Sequence, residues 1–268
     1  MISALARAGQ VFDDAAYVDA GAAAARFVEA RMFDAPTASL KRRFRQGTAD
    51  IDALLEDYTF FIQGLLDLYE ASFDPRWLSL ASRLQETQDR LFWDEKDGAY
   101  FSTRADAANL LARMKEDYDG AEPAANSVSA MNLLRLWQLM EKDSWRTRAD
   151  ATFRALSGRV ARSGAAVPQL MAALDFREST PKQIVIAGEP TAADTRALVR
   201  LVHDRFIPNK VLAVVDGSKA QAELARLVPF LGEMDRRNGR ATIYVCENYA
   251  CRLPTNDLAT AARLLDGR

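Results

Sequence analysis

A mainly α-helical chain of paired helices, followed by a small α/β segment of about three strands, is the fold class that this sequence predicts. Two observations predict it. Apolar residues recur at helical steps from the start to about Arg177, and the clear β-branched runs come only after Pro181. A boundary near Ser179-Thr180-Pro181 divides the chain into residues 1–178 and 179–268.

Ile2, Leu5, Ala6 and Gly9 share one helical face, and after a turn an Ala-rich helix runs from about Asp14 to Arg31. Leu54, Leu55, Tyr58, Phe61, Ile62, Leu65, Leu66 and Tyr69 recur at steps of three and four, so a helix over about 52–71 buries a broad face. Asp74-Pro75 restarts a helix with proline at its first position, and Trp77, Leu80, Ala81, Leu84 and Leu91 form its apolar stripe. Phe92 to Phe101 reads as two short extended pieces around the Asp97-Gly98 turn, a small hairpin. Helices follow at about 126–140, 145–162 and 165–176. Paired helices with short connections point to stacked α-hairpins, as in a bundle, a solenoid or an α/α toroid. The lack of a clear fixed-period repeat weighs against the common helical arrays.

Beyond Pro181, the runs 183–187, 210–215 and 242–246 are strands, separated by helices near 193–205 and 220–230. This strand-helix-strand order predicts a three-stranded, largely parallel sheet. Gly188-Glu189-Pro190 stands where a phosphate loop would sit, but it lacks the glycine spacing and the Lys-Ser/Thr ending, and reads as a plain turn.

Composition excludes several classes. With 49% hydrophobic residues in 268, the chain can bury one large core or two modest ones. A net charge of -2 gives no electrostatic reason to expect nucleic acid or an anionic membrane as partner. Lys41-Arg42-Arg43-Phe44-Arg45, the one dense basic run, reads as a solvated surface loop. No apolar run of about 18 residues occurs and the start lacks the pattern of a secretory signal, so the expected compartment is cytoplasmic. Cys246, Cys251 and the single His203 are too few for a four-ligand zinc site, and no cofactor is implied. Reduced thiols are expected in such a compartment, with a redox or metal role as the alternative; a bridge would need a turn, which Asn248 could help form.

The run Leu55 to Tyr69, then Phe92-Trp93-Asp94 with Gly98 and Tyr100-Phe101, then Lys115-Glu116-Asp117-Tyr118-Asp119-Gly120-Ala121-Glu122 through Ser127, resembles a known family. The similarity continues through Pro181 to Gly188, Pro208-Asn209-Lys210 and Cys246 to Cys251. The family is that of the thioredoxin-domain proteins that include spermatogenesis-associated protein of the twenty type. It implies a thioredoxin-like domain fused to an (α/α)6 toroid of the six-hairpin glycosidase and N-acylglucosamine 2-epimerase kind. On that pattern residues 1–178 form a partial toroid, and the chain resembles a C-terminal portion. An incomplete ring would favour self-association, or contact with a missing N-terminal segment. Thioredoxin chemistry does not carry over, because the sequence holds no Cys-x-x-Cys.

The acidic run before an apolar helix is the best candidate for a site. In a toroid, loops at one mouth supply polar groups over the funnel, so Asp57, Asp119 and Glu122 are the candidate catalytic carboxylates. Glycoside hydrolysis needs two such groups, one protonated and one ionised. The competing reading is that Asp119 and Glu122 cap the helix that follows. Trp93, Tyr100 and Tyr118 could stack on a sugar face or pack in the core. Tyr58, Asp117 and Asn126 complete the candidate ligand-binding set. Epimerisation is disfavoured, since His203 is alone on an amphipathic helix and reads as a surface or structurally bonded histidine. Three functions remain: a noncatalytic carbohydrate-related module meeting a sugar-like molecule, a glycosidase or sugar isomerase, or an interaction module docking a thioredoxin-like domain.

Overall fold

The computed structural model describes residues 1–107, 111–217 and 219–267, and holds ten α-helices and two small sheets among them. Seven helices precede Pro181: α1 (Ile2–Phe12), α2 (Ala15–Met32), α3 (Leu55–Ser72), α4 (Pro75–Phe92), α5 (Ala125–Met140), α6 (Asp143–Arg162) and α7 (Pro168–Glu178). Their starts follow local chemistry. The Asp14 carboxylate accepts the Ala16 N–H at 2.9 Å, and Asp74 accepts that of Arg76 at 3.0 Å before Pro75 opens α4.

Two layers result. Helices α1, α3, α5 and α7 each pack on the next, while α2, α4 and α6 each pack on the member that precedes them in sequence. Leu65, Leu68, Trp77, Leu84, Leu133, Leu136 and Trp145 fill the space between. The predicted hairpin after α4 is present as an antiparallel bridge between Trp93 and Tyr100. Its Gly98 has φ +73°, and a Cβ there would stand 3.0 Å from the Ala151 carbonyl oxygen, so both backbone and neighbour demand glycine.

The basic run is not a loop. Strands β1 (Phe33–Asp34), β2 (Ser39–Arg45) and β3 (Thr48–Asp52) form an antiparallel sheet in which Lys41 faces Asp52 and Arg43 faces Asp50. Ion pairs at 2.6 and 2.8 Å join these partners. Gln46 (φ 51°) and Gly47 (φ 83°) make the two-residue turn. Cross-strand charge pairing, rather than alternating apolar residues, stabilises this ribbon, so the hydrophobic pattern gave no strand signal.

The second sheet contains β4 (Lys182–Ala187), β5 (Lys210–Val215), β6 (Thr242–Glu247) and β7 (Ala250–Cys251) in the order β5-β4-β6-β7. β5 is parallel to β4 across α8 (Ala193–His203), as expected, but β6 runs antiparallel to β4, correcting the largely parallel prediction. The chain reverses on its way from α9 (Lys219–Leu227), through a 3-10 turn at Pro229–Glu233 and a left-handed pair at Asn238 and Gly239. Strand composition encodes burial, not direction. One face of the sheet, with Val185, Val211, Ala213 and Tyr244, joins the core of the helices. The other face, with Ile184, Ile186, Leu212, Ile243 and Val245, packs under α8 and α10 (Leu258–Leu265), a helix that the sequence reading missed. A continuous core thus crosses the predicted boundary near residue 179.

Candidate functional site

The starts of α3 and α5 lie beside one another and carry the acidic residues. Two adjoining clefts of about 430 and 420 Å³ open there and share Glu56, Phe60 and Glu122. Tyr118, 59% exposed, lies along one, and Arg42 and Asp57 along the other. Arg42 of β2 reaches both Glu56 and Asp57, at 2.6 and 2.9 Å. Burial raises the Glu116 carboxyl above its usual range, and the charges of Glu56 and Glu122 push the same way.

Most of the predicted carboxylates have structural partners. Asp57 is the third residue of α3, where its side chain accepts the Leu54 N–H at 2.8 Å. Partial burial raises its pKa against the opposing pull of that N–H and of Arg42. Asp119 is buried and serves two helices. Its Oδ1 accepts from the Ala124 N–H at 2.8 Å before α5, and its Oδ2 accepts from Gln169 at 2.8 Å and Leu170 at 3.4 Å at the start of α7. Asp117 forms a two-pronged pair with Arg159 that holds its carboxyl below the usual range. Glu122 is exposed and its side chain stands in no hydrogen bond or ion pair among the described residues, so it is not a cap.

The aromatic and amide candidates divide in the same way. Tyr58 is buried, edge-on to the Phe92 ring, with its hydroxyl accepting the Leu40 N–H at 2.8 Å. Tyr100 is buried and donates to Asp89 Oδ1 at 2.6 Å. Trp93 lies against Tyr100, with the Arg148 guanidinium over its indole. Asn126 is fully buried: it accepts the Tyr100 N–H at 2.8 Å and donates to the Tyr100 and Glu116 carbonyls, extending the hairpin like a further strand. Of these aromatic candidates Tyr118 is the exposed one, and it lines the groove.

Cys246 and Cys251 are bonded to one another across β6 and β7, in place of the reduced thiols expected. Asn248 (φ 51°) and Tyr249 (φ 61°) supply the turn. His203 is half-buried and its Nε2 has no hydrogen-bond partner; burial, then the charge of Lys210, pushes its pKa down to about 4.

Sequence reasoning missed two charged clusters. Asp89 is buried among Tyr100, Gln85 and Trp145, and burial raises its carboxyl. Asp67 and Glu70 are bound by Arg135 at 2.8 and 3.0 Å, and Arg7 and Ser3 complete the shell of Asp67. Charged residues inside the apolar stripes of α3 and α5 were the available signal. Burial alone would raise the Asp67 carboxyl, but Arg135 and Arg7 outweigh it. Among the described residues no group of His, Cys, Asp and Glu is arranged to hold a metal ion, and no helix is long and apolar enough to cross a membrane.

No protein-family model matches the chain. Over 99% of its length it is 42% identical to spermatogenesis-associated protein 20 of Mus musculus and 43% identical to that of Rattus norvegicus. The chain is homologous to a part of spermatogenesis-associated protein 20. It spans 35% of the length of these relatives. An uncharacterized protein of Caenorhabditis elegans is 29% identical over 99% of the chain. The name spermatogenesis-associated protein 20 states neither a substrate nor a reaction.

Proposed function

We propose that this chain is an arc of an α/α toroid of the six-hairpin kind, belonging to a longer protein with a thioredoxin-like domain, and that it acts there as a noncatalytic carbohydrate-related module. The order of the two helix layers supports the toroid: α1, α3, α5 and α7 neighbour one another as inner helices would, with α2, α4 and α6 as their outer partners. The noncatalytic reading rests on one observation. Asp57 and Asp119 accept backbone N–H groups at the starts of α3, α5 and α7, which gives both a structural duty in capping these helices. Of the three predicted catalytic carboxylates Glu122 then remains without such a duty, beside Glu56, which pairs with Arg42, and Glu116.

A sugar-like molecule would meet Tyr118 and Phe60 in the groove, with Glu56, Glu116 and Glu122 accepting from its hydroxyls. Titrating neutral mono- and oligosaccharides while following Tyr118 and Phe60 resonances tests this. Perturbations lost in Tyr118→Ala, without turnover, support the module. Glycosidase or isomerase turnover that disappears in Glu122→Gln would establish the enzymatic alternative instead.

The chain's 35% coverage of its relatives favours a second reading, docking to a thioredoxin-like domain or to the remaining helices. Phe12 and Val11, 67% and 61% exposed at the end of α1, provide an apolar edge for it. Binding in trans that is lost in Phe12→Asp would support this interface.

A further inference from the structure

A cleft of about 660 Å³ lies away from the mouth groove, between the C-terminal half of α3 and residues 203–210. Its volume suits a small organic ligand. Arg7, Arg135, Arg205 and Lys210 line it, with three carboxylates, Asp67, Glu70 and Asp204. All but Lys210 are paired: Asp67 binds Arg7 and Arg135, Glu70 binds Arg135, Asp204 binds Arg200 and Arg205 binds Asp266. Lys210 is left over. Its Nζ reaches only the Ile207 carbonyl, at 3.3 Å, and it stands in no ion pair among the described residues. Burial holds Lys210 below the ordinary lysine range, Glu70 and Asp67 opposing and Arg7 and Arg135 adding to the shift. A half-buried cation without a counter-ion is costly, and an entering anion would remove that cost.

Beside the paired Asp204 and Arg205, the wall carries neutral polar groups. The amides of Gln63 and Gln169 line the cleft and form no side-chain hydrogen bond among the described residues, and the buried His203 Nε2 has no partner. Amides and a neutral imidazole both donate to and accept from hydroxyl groups.

We propose that this cleft binds a small polyhydroxylated anion, a sugar phosphate or sugar acid, its anionic group at Lys210 beside Arg7 and Arg135 and its hydroxyls at Gln63, Gln169 and His203. The site is separate from the mouth groove, so failure of either leaves the other standing.

Isothermal titration of the 268-residue chain with glucose 6-phosphate, gluconate, inorganic phosphate and glucose tests the proposal. Glucose 6-phosphate or gluconate is expected to bind saturably, with inorganic phosphate and glucose each weaker by about tenfold or more. Lys210→Met should weaken the tighter ligand by about tenfold, and its thermal unfolding will show whether the fold is kept. Lys182→Met is the control, since Lys182 is the β4 neighbour of Lys210 but pairs with Glu247, and it should leave affinity within about twofold. Gln63→Leu, outside the ion-paired network, should weaken glucose 6-phosphate and spare inorganic phosphate. The proposal is overturned if neither glucose 6-phosphate nor gluconate binds, if a folded Lys210→Met binds as tightly as the parent, or if glucose matches its phosphate. Inorganic phosphate binding as tightly as glucose 6-phosphate overturns the sugar class, as does an unchanged affinity in Gln63→Leu.

Discussion

Asp119 uses two oxygens to accept three backbone N–H groups at two helix starts. Asparagine keeps one acceptor oxygen and turns an NH₂ toward the remaining donors. Asp119→Asn is therefore expected to cost about 2–4 kcal/mol in urea unfolding, and a loss below about 1 kcal/mol would mean that other groups hold these starts. His203 gives a pH dependence. Its folded pKa of about 4 lies below the ordinary 6.5, so the unfolded chain takes up the proton first as pH falls. Its contribution is complete above pH 6.5 and is lost as pH falls toward 4, by roughly 3 kcal/mol at most for a ring this buried. Lys210, Glu70, Arg200 and Arg7 modulate the shift, burial being its main cause. The stability difference between pH 7.5 and 4.5 should shrink in His203→Gln; an equal difference in both proteins would assign the pH effect to carboxylates. The capping duty of Asp119 was legible in the sequence because a carboxylate before an apolar run is a local signal. Its bond to α7 was not, because that partner is about 50 residues away.

At the scale of elements, the strand-to-helix turn after β4 is held by close approach. A Cβ on Gly188 would stand 2.3 Å from Thr195 Oγ1 and 3.0 Å from Ala241 Cβ, and Thr195 is branched and buried, with little room to yield. Gly188→Ala should therefore lower stability by about 1–3 kcal/mol, read as a shift in the urea midpoint. A neutral effect would show that α8 shifts freely over the sheet. Helices α3 to α7 were legible because their burial follows the 3.6-residue period. The ribbon β1-β2-β3 was not, since Arg43 and Asp50 stabilise it by pairing charges that read as solvated in one dimension. The reversal before β6 was also hidden: the chain turns at Asn238-Gly239 on its way into the strand, whereas Ile243 and Val245 report only a buried strand.

Across the whole molecule, Arg135 joins α5 to α3 and, through Asp67, to Arg7 of α1. Arg135→Met would leave Glu70 buried without its partner and Asp67 with only Arg7 and Ser3, and is expected to cost about 3–5 kcal/mol. The double change Arg135→Met with Glu70→Leu should recover part of that loss, because the uncompensated charge is then gone. No recovery would place the effect in packing instead. The two-layer arrangement was legible from helix pairing, but the inner polar faces were not: a helical wheel shows Asp67, Glu70 and Arg135 as isolated exceptions, and only assembly brings them together. The bond from Arg200 to the Gln10 and Val11 carbonyls carries that assembly back to the first helix. Nearly 190 residues must leave the ribosome between those partners, roughly 10–40 s of translation. Until then the nascent α1 lacks its final neighbour, and the wall of the cleft that Lys210 provides does not yet exist.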